Sequence, residues 1–380
     1  MTEGHSVRAV RSTSSRRAAI GVAVVVALVL AATAAIAAIA ALPGSDPGSH
    51  STPSRASAIS HLGFYPGYAN LAQLKSLETW VGHDASYVVQ FADQDATKFD
   101  PSVWGEVAKA GALQTLAGRV TLVESIPLAF GPNIDATTAA GRSSARANLQ
   151  ETVAGTYDSQ YRRAAEYLKT GGFADAVIRL GWEFDGDWYP WSAHGNEALW
   201  ISAYRHVADV LRSVSPGFRF DWDGDAGLLQ QETAAYPGDT YVDIVGLDVY
   251  DKGLPVAWDP TTASWSDPEG AFQWELSNLR FQRDFAVSHH KQVSYPEWGL
   301  AGVNATATSK VGGDDPTFVR GMSTWMGSLA AKGPGSLAYQ AYFDEDAADG
   351  RHRIDTGSFP AAKRAFLSLF GPSLVGLAHA

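Results

Sequence analysis

The sequence predicts an α/β fold, a (β/α)8 barrel of the TIM type. Eight strand-like apolar runs alternate with stretches of helical periodicity from His61 onward. Several of these runs are almost uninterrupted, as strands buried on both faces should be. Acids and aromatics gather where the runs end, the end at which such barrels carry their chemistry. A doubly wound open sheet is the alternative. Against it, no Gly-rich phosphate fingerprint follows any strand, and the acids sit at several strand ends rather than at one switch point.

The strands, in order, begin with "LGFYPG" at Leu62, "SYVVQFAD" at Ser86, "RVTLVESIPL" at Arg119 and "AVIRLGWE" at Ala176. "FRFDWDGD" at Phe218, "VDIVGLDVY" at Val242, "QVSYPEWG" at Gln292 and "LAYQAYFDED" at Leu337 complete the set. Leu149, Val153, Tyr157, Tyr161, Ala165 and Leu168 form one helical stripe, capped by Gly171. Leu199, Ala203, Val207, Val210 and Val214 form another, which Pro216-Gly217 ends. Phe272 to His289 is a third helix. The first two gaps have the weakest periodicity.

The N-terminus reads as an address. Arg8, Arg11, Arg16 and Arg17 precede an uncharged, Ala/Val/Ile/Leu-rich run from Ala18 to Leu42, close to the length that spans a bilayer. Residues 1–42 are therefore expected to be a signal peptide or signal-anchor helix that sends the body outward. Residues 43–60 are rich in Pro, Gly and Ser and read as a flexible linker, with the barrel over 61–380. Contact with a membrane is expected only through the first segment, and the protein is expected to be secreted or held on the outer membrane face as a monomer.

Without its first 45 residues the chain holds 25 basic and 39 acidic side chains, a net of -14. Such a body repels nucleic acid and anionic lipid, so a neutral partner fits better. There is no cysteine, which excludes disulfides and thiolate chemistry. The 12 tryptophans suit stacking on flat apolar ligand faces or a large core.

The strand ends carry Glu124; Glu183, Asp185 and Asp187; Asp223 and Asp225; Asp248, Tyr250 and Asp251; Glu297 and Trp298; and Tyr342, Asp344, Glu345 and Asp346. Two carboxylates flanking a glycosidic bond suffice to hydrolyse it, provided one stays protonated in an apolar or like-charged setting. Glu183 lies between Trp182 and Phe184, and Glu297 between Pro296 and Trp298. Strands 4 and 7 face each other across a barrel mouth, so the two can converge.

"RLGWEFDGDWYPW", Arg179 to Trp191, resembles the acid/base segment of glycoside hydrolase family 26, the β-mannanase and lichenase family. The match covers Arg179, Glu183, Gly186, Trp188, Tyr189, Pro190 and Trp191. "YPEWGL" resembles the nucleophile segment, "GLDVY" the strand-6 segment and "LGFYPG" the first strand. The resemblance implies Glu183 as acid/base, Glu297 as nucleophile and Tyr250 as its hydrogen-bond partner. It also implies an exported retaining endo-hydrolase acting on a β-linked polysaccharide such as mannan or mixed-linkage glucan, with no cofactor. One departure stands out: Trp182 occupies the position where the family usually has histidine, which bears on sugar identity more than on reaction type.

Beside Glu183 and Glu297 stand supporting candidates. Arg179 is expected to orient a carboxylate. Trp188, Tyr189 and Trp191 are expected to form a stacking platform, with Trp182, Asp187, Tyr65 and Trp298 near the sugar. Asp223, with Asp225, Asp248 and Asp344, is a candidate for sugar hydroxyls. Each has a plainer reading: a structural ion pair for Arg179 and Glu183, a hydrophobic plug for the aromatics. "DWDGD" lacks a full calcium-loop pattern, and adjacent His289 and His290 point apart on a helix, so no metal site is expected. No Gly-x-Ser-x-Gly elbow occurs, which disfavours an esterase. A carbohydrate-binding barrel without catalysis and an inverting hydrolase remain the alternatives.

Overall fold

The computed structural model describes residues 61–97, 99, 113–252, 256–304 and 310–372. The expected leader and linker lie outside the described residues. Among the described residues, no helix is long and apolar enough to cross a membrane.

Eight parallel strands close into a barrel, each at the position its apolar run marks. They are β1 (Leu62–Tyr65), β2 (Tyr87–Phe91), β3 (Thr121–Ile126), β4 (Val177–Leu180), β5 (Arg219–Asp225), β6 (Ile244–Tyr250), β7 (Gln292–Gly299) and β8 (Leu337–Phe343). They pair in sequence around the ring, with β8 closing onto β1. Among the described residues, seven α-helices lie between and after them: α1 (Leu71–Val81), α2 (Ala139–Val153), α3 (Asp158–Thr170), α4 (Glu197–Val214), α5 (Pro268–Ser288), α6 (Pro316–Ser328) and α7 (Pro360–Phe370). A short antiparallel ribbon, Trp258–Asp259 with Ser264–Trp265, precedes α5.

The stripe expected as one helix over 149–168 is two. The chain turns at Gly155, whose φ of 77° suits glycine, and the break separates α2 from α3. Leu149, Tyr161, Ala165 and Leu168 are buried, but Val153 at the break is exposed. Gly171 follows α3 in right-handed geometry, and the left-handed residue is Gly172. In α4 Ala203, Val207 and Val210 of the expected stripe are buried, Leu199 and Val214 at its ends are half-buried, and Trp200, Tyr204, Ala208 and Leu211 widen the buried face.

Alternation along each strand sorts side chains into two sets. Outward residues such as Phe64, Leu122, Ile178 and Phe220 join the large core under the helices. Inward residues Val89, Val123, Val177, Ile244, Tyr339 and Ala341 fill the barrel axis. Polar residues share that axis: Ser294 and Tyr339 each donate to Asp221 Oδ2 at 2.6 Å. Gly246 makes room for this layer, since a Cβ there would lie 2.5 Å from Asp223 Oδ1 and 2.7 Å from Asp221 Oδ1.

Candidate active site

Arg179 points inward from β4 and is fully buried. Its Nη2 lies 2.5 Å from Asp223 Oδ2, 2.6 Å from Asp248 Oδ2 and 2.9 Å from Glu297 Oε1. Its Nη1 donates to Ser125 Oγ at 2.9 Å. One guanidinium thus joins β3, β4, β5, β6 and β7. Burial pushes Asp223 up to about 7 even though Arg179 draws it down, and Asp248 is raised for the same reason. Asp223 and Asp248 therefore serve Arg179 from inside the barrel.

Glu297 reaches the mouth through a β-bulge. Ser294 points inward, so strict alternation would send Glu297 outward. Between Ser294 and Trp298, β7 uses four steps while β6 uses three, from Gly246 to Val249. The extra residue lies next to Pro296, which has no N–H to give a ladder. The phase slips, and Glu297 turns inward. Tyr250 Oη donates to Glu297 Oε2 at 2.8 Å, while Arg179 holds the other oxygen.

Glu183 arrives by a different device. After Leu180 the chain leaves strand geometry through Gly181 (φ 62°) and Glu183 itself (φ 46°). A non-glycine residue in that region costs on the order of 1–3 kcal/mol, so the surroundings must enforce it. They do so with an aromatic plug. Trp191 Nε1 donates to Trp182 O at 2.9 Å, and Trp182 Nε1 donates to Tyr189 Oη at 3.0 Å. Tyr189 and Trp191 stack at 4.5 Å. Trp188 Nε1 donates to Glu183 Oε2 at 3.1 Å, and Gly186 permits it. A Cβ at Gly186 would lie 2.5 Å from the Trp188 ring. Burial first, then the charges of Glu297 and Asp225, raises the Glu183 carboxyl well above its usual range.

Both glutamates line one cleft of about 600 Å³, with Tyr65, Trp188, Tyr189, Asp225 and Tyr250. That volume falls within the roughly 300–1,000 Å³ of small-ligand sites. A carboxyl kept protonated and a second one clasped by a cation and a hydroxyl face the same space. Such a pair can protonate a leaving oxygen and attack the carbon it leaves.

Other candidates stand elsewhere. Trp191 and Trp182 are buried in the plug rather than open to the cleft, because they hold the turn that carries Glu183. Trp298 points outward. It is fully buried, donates to Gln340 Oε1 at 2.5 Å and packs on Phe366 and Tyr342 beneath the helices. Asp187 lines an adjoining hollow with Asp185, His194 and Glu232. Glu124 is not at the mouth: its inward neighbour Ser125 meets Arg179, so Glu124 faces the helix layer, and burial pushes it up to about 8. Asp344 also faces away, accepting from Gln73 Nε2 and Ile354 N at 2.8 Å.

Several cleft residues had no place among the expected ones. Phe91 and Phe343 end the inward rows of β2 and β8 and pack on Tyr65 at 4.9 and 4.7 Å, a position that alternation does predict. Lys252 and Asp349 come from loops, where no periodicity marks them; they pair at 2.6 Å on the cleft rim. His352 packs on the Tyr250 ring at 5.0 Å and meets Asp349 Oδ1 at 3.3 Å. Among the described residues, no group of three or more His, Asp or Glu is placed to hold a metal ion.

Residues 159–260 match the model of "Glycosyl hydrolase family 26". Endoglucanase H of Acetivibrio thermocellus is 28% identical over 184 residues, covering 45% of this chain and 18% of that protein. A mannan endo-1,4-beta-mannosidase of Bifidobacterium adolescentis is 27% identical over 201 residues, covering 47% of this chain and 19% of that one. The chain thus spans less than a fifth of the length of these curated relatives. Among solved structures, GH26C from a Muricauda species has a TM-score of 0.56 at 16% identity, covering 82% of this chain and 83% of its own. A GH26 β-mannanase from Bacteroides ovatus has a TM-score of 0.54 at 14% identity, covering 85% and 95%. These likenesses carry the fold, while the matched segment contains Arg179, Glu183 and the Trp188–Trp191 run of the plug and cleft. The segment 159–260 is thus similar to glycosyl hydrolase family 26, and the barrel as a whole shares the fold of solved GH26 structures.

Proposed function

We propose that the chain is a retaining endo-β-glycoside hydrolase acting on a neutral polysaccharide, with β-1,4-mannan as first candidate and mixed-linkage β-glucan as second. The observation that carries this reading is the pairing of Glu183 and Glu297 across one cleft, with opposite environments. The relatives' names, an endo-mannosidase and an endoglucanase, support the choice of polymers.

In this mechanism Glu183 gives its proton to the glycosidic oxygen as the Glu297 carboxylate attacks the anomeric carbon. The carbon–oxygen bond breaks, and a glycosyl ester forms on Glu297. Glu183, now ionised, takes a proton from water, which attacks the same carbon and releases Glu297. Arg179 and Tyr250 keep the Glu297 oxygens fixed through both steps. Trp188 holds Glu183 and offers its ring to the sugar. We also propose that the N-terminal segment exports the body, where such polymers are met.

The test is reducing-end release by the full chain from β-mannan, mixed-linkage β-glucan, β-1,3-xylan and α-linked controls, with Glu297→Ala alongside. Release from one β-glycan, abolished in the variant, is expected. Tight binding without release from any of them would favour a non-catalytic carbohydrate-binding barrel. Protease accessibility of the body on intact cells checks export.

A further inference from the structure

The groove continues past the two glutamates. A second hollow of about 260 Å³ opens off the cleft and shares Trp188, Asp225, Tyr250 and Lys252 with it. Its far wall is Trp274 and Glu275, side by side on α5. Nothing in the sequence motifs points to either residue.

Glu275 is 1% exposed, and neither of its carboxyl oxygens has a hydrogen-bond partner. Buried polar groups are almost always satisfied, so an orphaned carboxyl lining a hollow calls for a ligand hydroxyl. Burial first, then the charges of Asp251 and Asp225, keeps the Glu275 proton on well above the usual range. Asp225 is raised too, by burial and then by Asp185. Each can therefore donate through its O–H and accept through its C=O, the pairing that a sugar hydroxyl offers in return.

Trp274 supplies the apolar surface. It is partly buried, and its ring packs over Gly227, where a Cβ would lie 2.9 Å from two ring carbons. Gly227 has a φ of 95°, so the close approach and the backbone turn both require glycine there.

We infer that this hollow is a further sugar subsite, taking one neutral hexopyranose ring of the bound chain, with Trp274 under the ring and Glu275 and Asp225 on its hydroxyls. The inference rests on the glycosidase reading above. The volume lies below the roughly 300–1,000 Å³ of whole-ligand sites, which suits a single ring. The one cation on its wall, Lys252, is already paired with Asp349 at 2.6 Å, so an anionic sugar has no free partner among the lining residues. The neighbouring hollow at Asp187 shares only Trp188 with the main cleft, which makes it the poorer continuation.

The test is calorimetric titration of the full chain carrying Glu297→Ala, which binds without turnover. The probes are ladders of β-1,4-linked manno-oligosaccharides and of gluco-oligosaccharides, dimer to hexamer. Trp274→Ala and Glu275→Leu, each added to that background, should leave the shortest bound oligomer's Kd unchanged. They should weaken the longest by about tenfold, an aromatic contact's share of affinity. Glu275→Gln keeps the hydrogen-bonding shape and should stay within about twofold of the parent. Equal loss at every length would mean a structural role and overturn the subsite, as would no loss at any length. If the Glu297→Ala parent binds neither ladder, the glycosidase reading fails first and the subsite falls with it.

Discussion

Replacing Arg179 by methionine removes the one cation that touches Asp223, Asp248 and Glu297, all nearly or fully buried. Methionine fills much of the volume, so the loss is electrostatic. Breaking a buried pair from one side costs about 3–5 kcal/mol, because the partner charges stay behind. Here there are three partners, and the cost should reach the upper part of that range near pH 8. The sign of its pH dependence follows from Asp223. Burial raises its pKa from 3.8 to about 7 in the folded protein. Between those values the native state holds more protons than the unfolded one, so stability falls as pH rises. Without Arg179 the folded value climbs further and the window extends upward. The deficit should therefore be larger near pH 8 than near pH 5, where the acids can protonate. Urea denaturation at both pH values measures it, with Arg179→Lys as a partial rescue. A deficit below about 1 kcal/mol, or one equal at the two pH values, would mean that Arg179 does not neutralise this buried cluster.

Three further outcomes are expected. Tyr250→Phe removes the 2.8 Å donor to Glu297 and should lower kcat by about tenfold to a hundredfold with little change in KM; an unchanged kcat would detach Tyr250 from the chemistry. Gly186→Ala pushes a methyl into the Trp188 ring, 2.5 Å away, and should cost about 1–3 kcal/mol of stability together with most activity. Glu124→Gln should stabilise the protein by on the order of 5 kcal/mol near pH 9 but hardly at all near pH 4.5. Glu124 is buried with a folded pKa of about 8 against 4.5, so its penalty accumulates as pH rises through that window. Thermal or urea melts across pH decide this, and a pH-independent effect would contradict it.

The barrel was legible because its strands are buried on both faces, which leaves long apolar runs such as "VVQF" and "IVGLDV" between helices. Alternation within those runs says more than the list of acids does. It separates inward Ser125 and Arg179 from outward Glu124, and counting from Ser125 would have removed Glu124 from the mouth. The same rule misleads on β7, where Glu297 faces inward only because the bulge beside Pro296 shifts the phase. Once the phase has shifted, Trp298 must face the helices. The break at Gly155 was hidden by a stripe that keeps its spacing across the gap. Trp182 and Trp191 show a limit of a different kind. Their side chains build the turn that aims Glu183, and an aromatic cluster reads the same whether it stacks on sugar or on itself. Lys252, Asp349 and Glu275 came from loops and a helix shoulder, where contact depends on tertiary approach and no local period reports it.

In the proposed mechanism Glu183 and Glu297 act as a pair on one bond, by double displacement. Proton NMR of the first product released from a β-linked substrate reads the anomeric configuration before mutarotation. The β anomer first, and no product from Glu297→Ala, is the predicted result. The α anomer first would mean inversion across a wider carboxyl gap, and undiminished turnover by Glu297→Ala would mean that the pair is not the catalyst.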